Sequence, residues 1–325
     1  VNAVDAQEQS VIVDIIAAVF DGGAYLHAFL ASLAGQTYRE WRLWVRDDGS
    51  RDATIEIIRA AAAGDSRIRL LPPDGMRRGA AHSFSRLLEA LPIEAAYIMC
   101  ADQDDVWLPV KIEHTLAAMR AAESETPGPL LVHTDLVVVD ADLAILHPSL
   151  WEYSHVRPEP ATLRRLVVQN VATGSTVMLN RALRLRIGVM PADAYYHDWW
   201  YSCVAAAFGR VVVLREATIL YRQHASNVVG AKRSLANPWH EIPVLVRNAL
   251  RQRATFRAQF RRGAEQAGAF LARYGHELQE PDRAYLEAYA RLPDLPFARR
   301  KLDIIRLRLR REFGWWRNLG VLLRA

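Results

Sequence analysis

Residues 95–112 read Ala-Ala-Tyr-Ile-Met-Cys-Ala-Asp-Gln-Asp-Asp-Val-Trp-Leu-Pro-Val-Lys-Ile. Ala95 to Cys100 is an apolar run of the length of a buried strand, and three carboxylates follow it at once, Asp102, Asp104 and Asp105. Pro109 then opens a helical pattern, since its fixed φ suits a first turn. Carboxylates crowded at the end of a buried strand repel one another, so the fold has to supply something cationic there. A hard divalent metal held against phosphate oxygens meets that need.

The chain on either side has a regular alternation. Val11 to Val19 reads as a β-branched strand, broken by Gly22-Gly23, and Ala24 to Leu33 has helical spacing. Trp41 to Val45 is a second strand, ending at Asp47-Asp48-Gly49-Ser50, and Asp52 to Ala63 a helix that Ser50 or Asp52 can cap. Arg67 to Leu71 is a short third strand before Pro72-Pro73-Asp74-Gly75, and Gly79 to Leu91 a helix leading into the strand at Ala95. Strands alternating with helices predict an α/β fold, a mostly parallel sheet flanked by helices. Such sheets bind ligands at the carboxyl ends of their strands. Three of these ends are acidic (Asp21, Asp47-Asp48 and Asp102 to Asp105). They form one site if those strands are neighbours.

Further strands are expected at Leu130–Val139, Ser175–Leu179 and Arg210–Leu214, with a helix over Asp198–Phe208. After Asn237 the pattern is helical throughout. The expected organisation is a frayed segment at 1–10, a catalytic α/β domain at 11–230, and a basic helical region at 231–325.

Composition narrows the setting. The 325 residues are 51% hydrophobic and 24% charged, which is ordinary for a globular protein. Forty-one basic residues against 36 acidic leave a net charge of +5, and much of the excess follows residue 246. A basic tail beside an acidic pocket points to an anionic surface as partner. Two cysteines, Cys100 and Cys203, argue against a disulfide scaffold and fit a reducing cytoplasm. No apolar stretch has the length of a membrane span, and no signal peptide is evident.

Each motif has a plain alternative. Asp102-Gln103-Asp104-Asp105 is either a solvated acidic turn or a metal site, and the buried strand before it favours the metal. Asp47-Asp48-Gly49-Ser50 is either a turn, for which Asp-Gly is a strong pair, or a carboxylate that accepts the N3 proton of uracil or thymine. Arg77-Arg78-Gly79 is a solvated basic loop or a phosphate site at a helix start.

The order and spacing of these motifs resemble the family-two inverting glycosyltransferases of the GT-A fold, over about residues 11 to 230. The resemblance is carried by Ala18-Val19-Phe20-Asp21-Gly22, Gln36-Thr37-Tyr38 and Asp47-Asp48-Gly49-Ser50-Arg51-Asp52. Three further runs are similar to a rhamnosyltransferase-like subgroup: Ala101 to Pro109, Val132-His133-Thr134-Asp135-Leu136-Val137-Val138, and Leu220-Tyr221-Arg222-Gln223-His224-Ala225-Ser226-Asn227. Phe20 and Asp21 stand where the family usually has Tyr and Asn, and Ser83 replaces a frequent Asn.

The resemblance implies a role for each residue. Asp198, in His197-Asp198-Trp199-Trp200, would be the general base, the alternative being a helix cap. Ala18, Val19, Asp21, Asp48, Arg78 and Asp102 would hold the nucleotide. Asp102, Asp104 and His224 would hold Mn2+ or Mg2+, and imidazole favours manganese. Trp107, Gly174, Trp199 and Trp200 would shape the acceptor or sugar side, although adjacent tryptophans on a helix are also ordinary core. Arg222 would be a diphosphate contact or a structural ion-pair partner. The implied donor is dTDP-L-rhamnose first and a UDP-sugar second. The implied acceptor is a growing cell-surface polysaccharide such as an O-antigen, or a lipid-linked glycan.

Two other readings compete. A sugar nucleotidyltransferase would carry a basic, Gly-rich loop after the first strand, and Phe20-Asp21-Gly22-Gly23-Ala24 has no basic residue. A non-catalytic nucleotide-binding module of a glycan-assembly complex would bind without turnover. The tail, with Arg299, Arg300, Lys301, Arg306, Arg308, Arg310, Arg311, Trp315 and Trp316, suits an anionic bilayer surface or a helix packed on the catalytic domain. No nucleic-acid motif accompanies the charge, so nucleic acid is not expected as a partner. The expected location is cytoplasmic, peripheral on the inner face of the cell membrane.

Overall fold

The computed structural model describes residues 11–224 and 253–309. Its strands are β1 Val13–Val19, β2 Trp41–Asp47, β3 Ile68–Leu70, β4 Tyr97–Ala101, β5 Val106–Trp107, β6 Leu130–Val139, β7 Ile145–His147, β8 Met178–Asn180 and β9 Arg210–Arg222. They form one sheet in the order β3-β2-β1-β4-β8-β6-β9-β5, with β7 on the side of β6.

The first half is the parallel sheet that the sequence implies: β3, β2, β1 and β4 all run the same way. The register pairs Val19 with Asp47 and Ala17 with Ala101, so the acidic ends of β2 and β4 flank the end of β1. The second half is mixed. Strand β8 is antiparallel to both β4 and β6, β9 is parallel to β6, and β5 is antiparallel to β9. Two elements differ from expectation. β9 runs on to Arg222 instead of stopping at Leu214, so it carries the chain from the far edge back to the acidic cluster. β5 is two residues long, too short for a periodicity to reveal, and it pairs with Ile219 and Leu220.

Period-two alternation divides β1 between two cores. Val13, Ile15, Ala17 and Val19 face one layer, which includes α1 (Gly23–Ala34) and α4 (Lys111–Glu125). Ile16 faces the other, with α3 (Gly79–Ala90) and the later helices. Asp14 lies on that second face with no exposure. It accepts Arg42 Nε at 2.9 Å, Arg42 Nη2 at 3.0 Å and Trp44 Nε1 at 2.8 Å, so its charge is paired and its oxygens satisfied.

Four short elements follow: α2 (Thr54–Gly64), α5 (Leu150–Tyr153), α6 (Leu163–Leu166) and α7 (Arg181–Ile187). Helix α8 (His197–Phe208) crosses the second face. The C-terminal helices α9 (Arg253–Tyr274), α10 (Glu280–Arg291) and α11 (Phe297–Arg306) add Phe260, Phe270, Tyr274, Leu286, Tyr289 and Ile304 to the core that holds Trp199 and Trp200, and Leu292 joins it from the turn after α10. The core is therefore continuous across the division expected at residue 230, which itself lies outside the described residues, as do residues 1–10. No helix among the described residues is long and apolar enough to cross a membrane.

Candidate active site

The three neighbouring strand ends build one basin. At the β2 end, Asp48 is 5% exposed and engaged on both oxygens. Its Oδ1 accepts Arg46 Nη1 at 2.6 Å, the Arg78 amide at 2.7 Å and Ser83 Oγ at 3.2 Å, and Oδ2 accepts the Gly79 amide at 2.8 Å. Burial alone would raise its pKa. The Arg78 amide, Arg46 and the Gly79 amide outweigh it and hold the carboxyl below its ordinary value. Arg46 also donates to Asp74 Oδ1 at 2.9 Å and to the Met76 carbonyl at 2.7 Å, so the loop after β3 is strapped across the end of β2. Arg78 turns its own guanidinium to Asp74, and Arg77 lies 4.0 Å over the Phe20 ring.

Ala18 and Val19 end β1, and the Val19 carbonyl accepts the Asp48 amide at 2.8 Å. Asp21 sits at φ 45° and turns its Oδ1 to the Arg51 amide at 2.7 Å. Asp47 holds the Gly49-Ser50 turn through both amides. These acidic ends therefore shape the rim by bonding to neighbouring loops. Gln103 performs the same work from β4. Its Nε2 donates to the Phe20 carbonyl at 2.9 Å and its Oε1 accepts the Phe20 amide at 2.8 Å. A Cβ on Gly22 would come within 2.3 Å of that amide group, which explains a glycine there.

The carboxylates of the opening motif take three different environments. Asp104 Oδ2 lies 2.8 Å from His224 Nε2. The His224 ring stacks on Tyr25 at 4.6 Å, and Arg222 lies 4.9 Å over the other partner of that stack, the Tyr25 ring. Asp102 is pushed up to about 7, first by burial, then by Asp104 and Asp198, with Ser175 working the other way. Asp105 is 1% exposed, and neither of its oxygens has a hydrogen-bond partner among the described residues. Burial, followed by the Asp102 and Asp104 charges, drives its pKa well up. Lys111, fully buried on α4, is the nearby cation. Its Nζ is 3.4 Å from Thr218 Oγ1 and 4.7 Å from the Trp107 ring. Burial pulls it down to about 7 against the attraction of Asp105.

Across the basin, Asp198 lies in the first turn of α8, one residue inside it, with Tyr196 in the cap position. Its Oδ1 accepts the Trp199 amide at 2.7 Å. Burial pushes its pKa up to about 7, opposed by the Trp199 amide, the Asn170 side chain and the Gly174 amide. A Cβ on Gly174 would lie 2.9 Å from His197 Nε2 and 3.8 Å from Asp198 Cβ, so this glycine lets the backbone lie directly against the helix start.

Several expected site residues are corrected. Trp107, Trp199 and Trp200 are 2%, 7% and 0% exposed, and no ring face is open to a sugar. Trp199 Nε1 donates to the Leu166 carbonyl, and Trp200 meets Phe270 edge-on at 5.4 Å. Their area is worth more in the core than in the basin. Arg222 is 5% exposed. It donates from Nε to the Asp104 carbonyl at 3.0 Å and to the Ala141 carbonyl, so it braces the Asp104 loop instead of presenting itself to a diphosphate. Asp135, in the β6 motif, is spent on the Leu136, Leu150 and Trp151 amides and Ser149 Oγ.

Sequence reasoning missed Gln103, Tyr25, Ser175, Asn170 and Lys111. Lys111 had a signal. It falls on the buried stripe of α4 with Ile112, Thr115, Leu116, Met119 and Ala122, where an unpaired lysine does not belong.

Among the described residues no three metal-ligating side chains converge in a ready-made shell. The donor chemistry nevertheless fits a divalent cation. Asp102, Asp104 and His224 offer hard oxygens and one imidazole, and the buried oxygens of Asp105 beside them have no hydrogen-bond partner among the described residues. Phosphate oxygens would complete such a shell.

A mixed α/β sheet of this order with flanking helices matches the GT-A fold. The model of the family Glycosyl transferase family 2 matches residues 14–182, and the chain belongs to that family. It is a glycosyltransferase. It is similar to the dTDP-rhamnosyl transferase RfbG of Shigella flexneri, 24% identical over 241 residues, 71% of this chain and 79% of that one. It is also similar to the Escherichia coli UDP-Glc:alpha-D-GlcNAc-diphosphoundecaprenol beta-1,3-glucosyltransferase WfgD, 32% identical over 173 residues, 53% of this chain and 61% of that one. Among solved structures, S. aureus TarS 1-349 in complex with UDP-GlcNAc aligns with TM-score 0.54 at 14% identity, covering 90% of this chain and 83% of that one. The mannosyltransferase PcManGT of Pyrobaculum calidifontis, in complex with GDP-Man and Mn2+, gives 0.55 at 15% identity, covering 91% and 72%. Both bear on the fold alone.

Proposed function

We propose that this glycosyltransferase moves L-rhamnose from dTDP-L-rhamnose onto a hydroxyl of a growing cell-surface polysaccharide or lipid-linked glycan, with inversion at the anomeric carbon. One observation carries the reaction type: Asp198, at the start of α8, is near enough for its charge to act on Asp102, and Asp104 beside Asp102 pairs with His224 at 2.8 Å. A base therefore faces the anchor of a leaving group. Asp198 takes the acceptor hydroxyl proton, the hydroxyl oxygen bonds to the anomeric carbon, and the bond to the diphosphate breaks with its electron pair on the phosphate oxygen. The carboxyl, at about 7, is poised to ionise near neutrality, where a base is most effective. Asp102, Asp104 and His224 would hold a divalent metal, which when bound neutralises charge on the departing diphosphate. The nucleotide lies, in this reading, along Ala18, Val19, Asp21, Asp48, Arg78 and Asp102.

The rhamnose assignment is supported by the likeness to RfbG and by the sequence runs around Asp102 and His224. A UDP-sugar donor, favoured by the higher identity to WfgD over a shorter span, is the second reading. An acceptor carried on lipid would bring the enzyme to the inner face of the cell membrane. The test is turnover of dTDP-L-rhamnose, UDP-glucose and UDP-N-acetylglucosamine on rhamnan and lipid-linked acceptors, with Mn2+, Mg2+ or chelator. Release of dTDP with transfer, lost on chelation and restored by the metal, is expected. Turnover of UDP-glucose alone would overturn the rhamnose assignment, and tight dTDP binding without turnover of any donor would overturn the catalytic one.

A further inference from the structure

Three of the ten exposed large apolar side chains among the described residues lie on one helix of ten residues, α11. Phe297, Leu302 and Ile305 are 59%, 54% and 59% exposed. At about 100° per residue they fall, with Ala298, in one arc of the helix. Lys301 lies within the arc, its Nζ 4.9 Å over the Phe297 ring, and the edge of the arc beside Phe297 is anchored: Ile304 is 3% exposed in the main core, Leu309 follows at 5%, and Arg300 donates to the Pro293 carbonyl. Helix α11 is therefore held in a fixed orientation, with the arc facing outward. Exposed guanidinium groups border the arc. Arg299 and Arg306 lie beside it, within 4.0 Å and 3.4 Å of Asp303, the one acidic residue between Phe297 and Arg308, and Arg308 follows it.

Apolar teeth ringed by cations fit a surface that is apolar below and anionic above. We propose that the Phe297–Leu302–Ile305 arc of α11 inserts into the headgroup boundary of an anionic phospholipid bilayer, with Arg299, Arg306 and Arg308 on the lipid phosphates. A second copy of the chain fits less well, since an arc paired with itself would bring like charges together. Arg310, Arg311, Trp315 and Trp316 continue the same chemistry in the sequence, outside the described residues. The inference specifies the surface for the membrane placement that a lipid-linked acceptor implies, but it does not depend on which sugar is moved.

The experiment uses the full chain and sedimentation with phosphatidylcholine vesicles, with and without phosphatidylglycerol. The wild type should bind the anionic vesicles, bind phosphatidylcholine weakly, and be released by salt. Arg299→Gln/Arg306→Gln should bind at least about tenfold more weakly, each basic side chain near the surface being worth several-fold. Phe297→Ser/Leu302→Ser/Ile305→Ser changes only exposed side chains, so it should fold normally and lose retention even at low salt. Equal binding of wild type to both vesicles, or unchanged binding of the serine variant, overturns the proposal. So does a wild-type dimer on gel filtration that the serine variant abolishes, which would assign the arc to a second copy. Sugar transfer to a soluble acceptor without vesicles is followed in parallel. Transfer without vesicle binding defeats this inference alone, and vesicle binding without transfer defeats the proposed reaction alone.

Discussion

At the residue scale, Asp198 and Asp102 share a physical situation and differ in task. Desolvation pushes both up to about 7, and Asp102 also has the Asp104 and Asp198 charges acting on it. Only Asp198 has amides and an amide side chain fixing its direction. Asp198→Asn should lower kcat at least about a thousandfold, while dTDP affinity measured by calorimetry stays within a factor of two or so. A raised carboxyl pKa means that the base is protonated, and idle, at low pH. The kcat/KM of the free enzyme should therefore rise about tenfold per pH unit below about 7 and level off above it, and the profile of Asp198→Glu should keep that shape. Gly174 lets the backbone lie against the start of the helix that carries this carboxylate. Gly174→Ala places a methyl 2.9 Å from His197 Nε2, and displacement of the helix start should cost roughly tenfold to a hundredfold in kcat with little change in donor KM.

At the scale of elements, strand ends are positioned by side chains that do no chemistry. Asp14 joins β1 to β2 inside the core through Arg42 and Trp44. Asp14→Val would leave a guanidinium and an indole N–H without their acceptor. The expected loss is about 2–4 kcal/mol in urea unfolding, below the figure for a fully buried pair because the Arg42 side chain is 19% exposed. Activity per folded molecule should be nearly unchanged. Most of these elements were legible in the sequence because each has a period or a stop signal of its own. Val13–Val19 and Leu130–Val139 are β-branched, and Asp-Gly ends β2. Strand β5 and the last eight residues of β9 were not legible. Their pairing is with each other and with β6, far apart in sequence, and no local pattern announces it.

Across the whole molecule, the C-terminal helices share a core with the helices that flank the sheet. Trp200 is fully buried, and its ring meets Phe270 and Tyr274 of α9. Trp200→Ala should destabilise the protein by about 3–5 kcal/mol in chemical denaturation, for lost transfer energy and the cavity left behind. A chain ending at residue 224 would expose the face of α8 that Phe260, Phe270 and Leu286 cover. It should be recovered mostly as aggregate, and soluble, active material of that length would show that the catalytic half has a core of its own.

What the sequence by itself determined is the alternation of strands and helices, the acidic strand ends, and the carboxylate-rich motif after β4. These are local: a period, a turn pair and a charge cluster can each be read in place. Only the tertiary structure decided which acidic residues face the basin. Asp21 and Asp47 were indistinguishable by type from Asp102 and Asp104, yet Asp47 gives both oxygens, and Asp21 one, to neighbouring amides. The three tryptophans were equally ambiguous, and burial assigned them to the core. A side chain's task follows from what lies across from it, and β9, α8 and the C-terminal helices bring those partners from far along the chain, as β9 brings His224 to Asp104 over 120 residues.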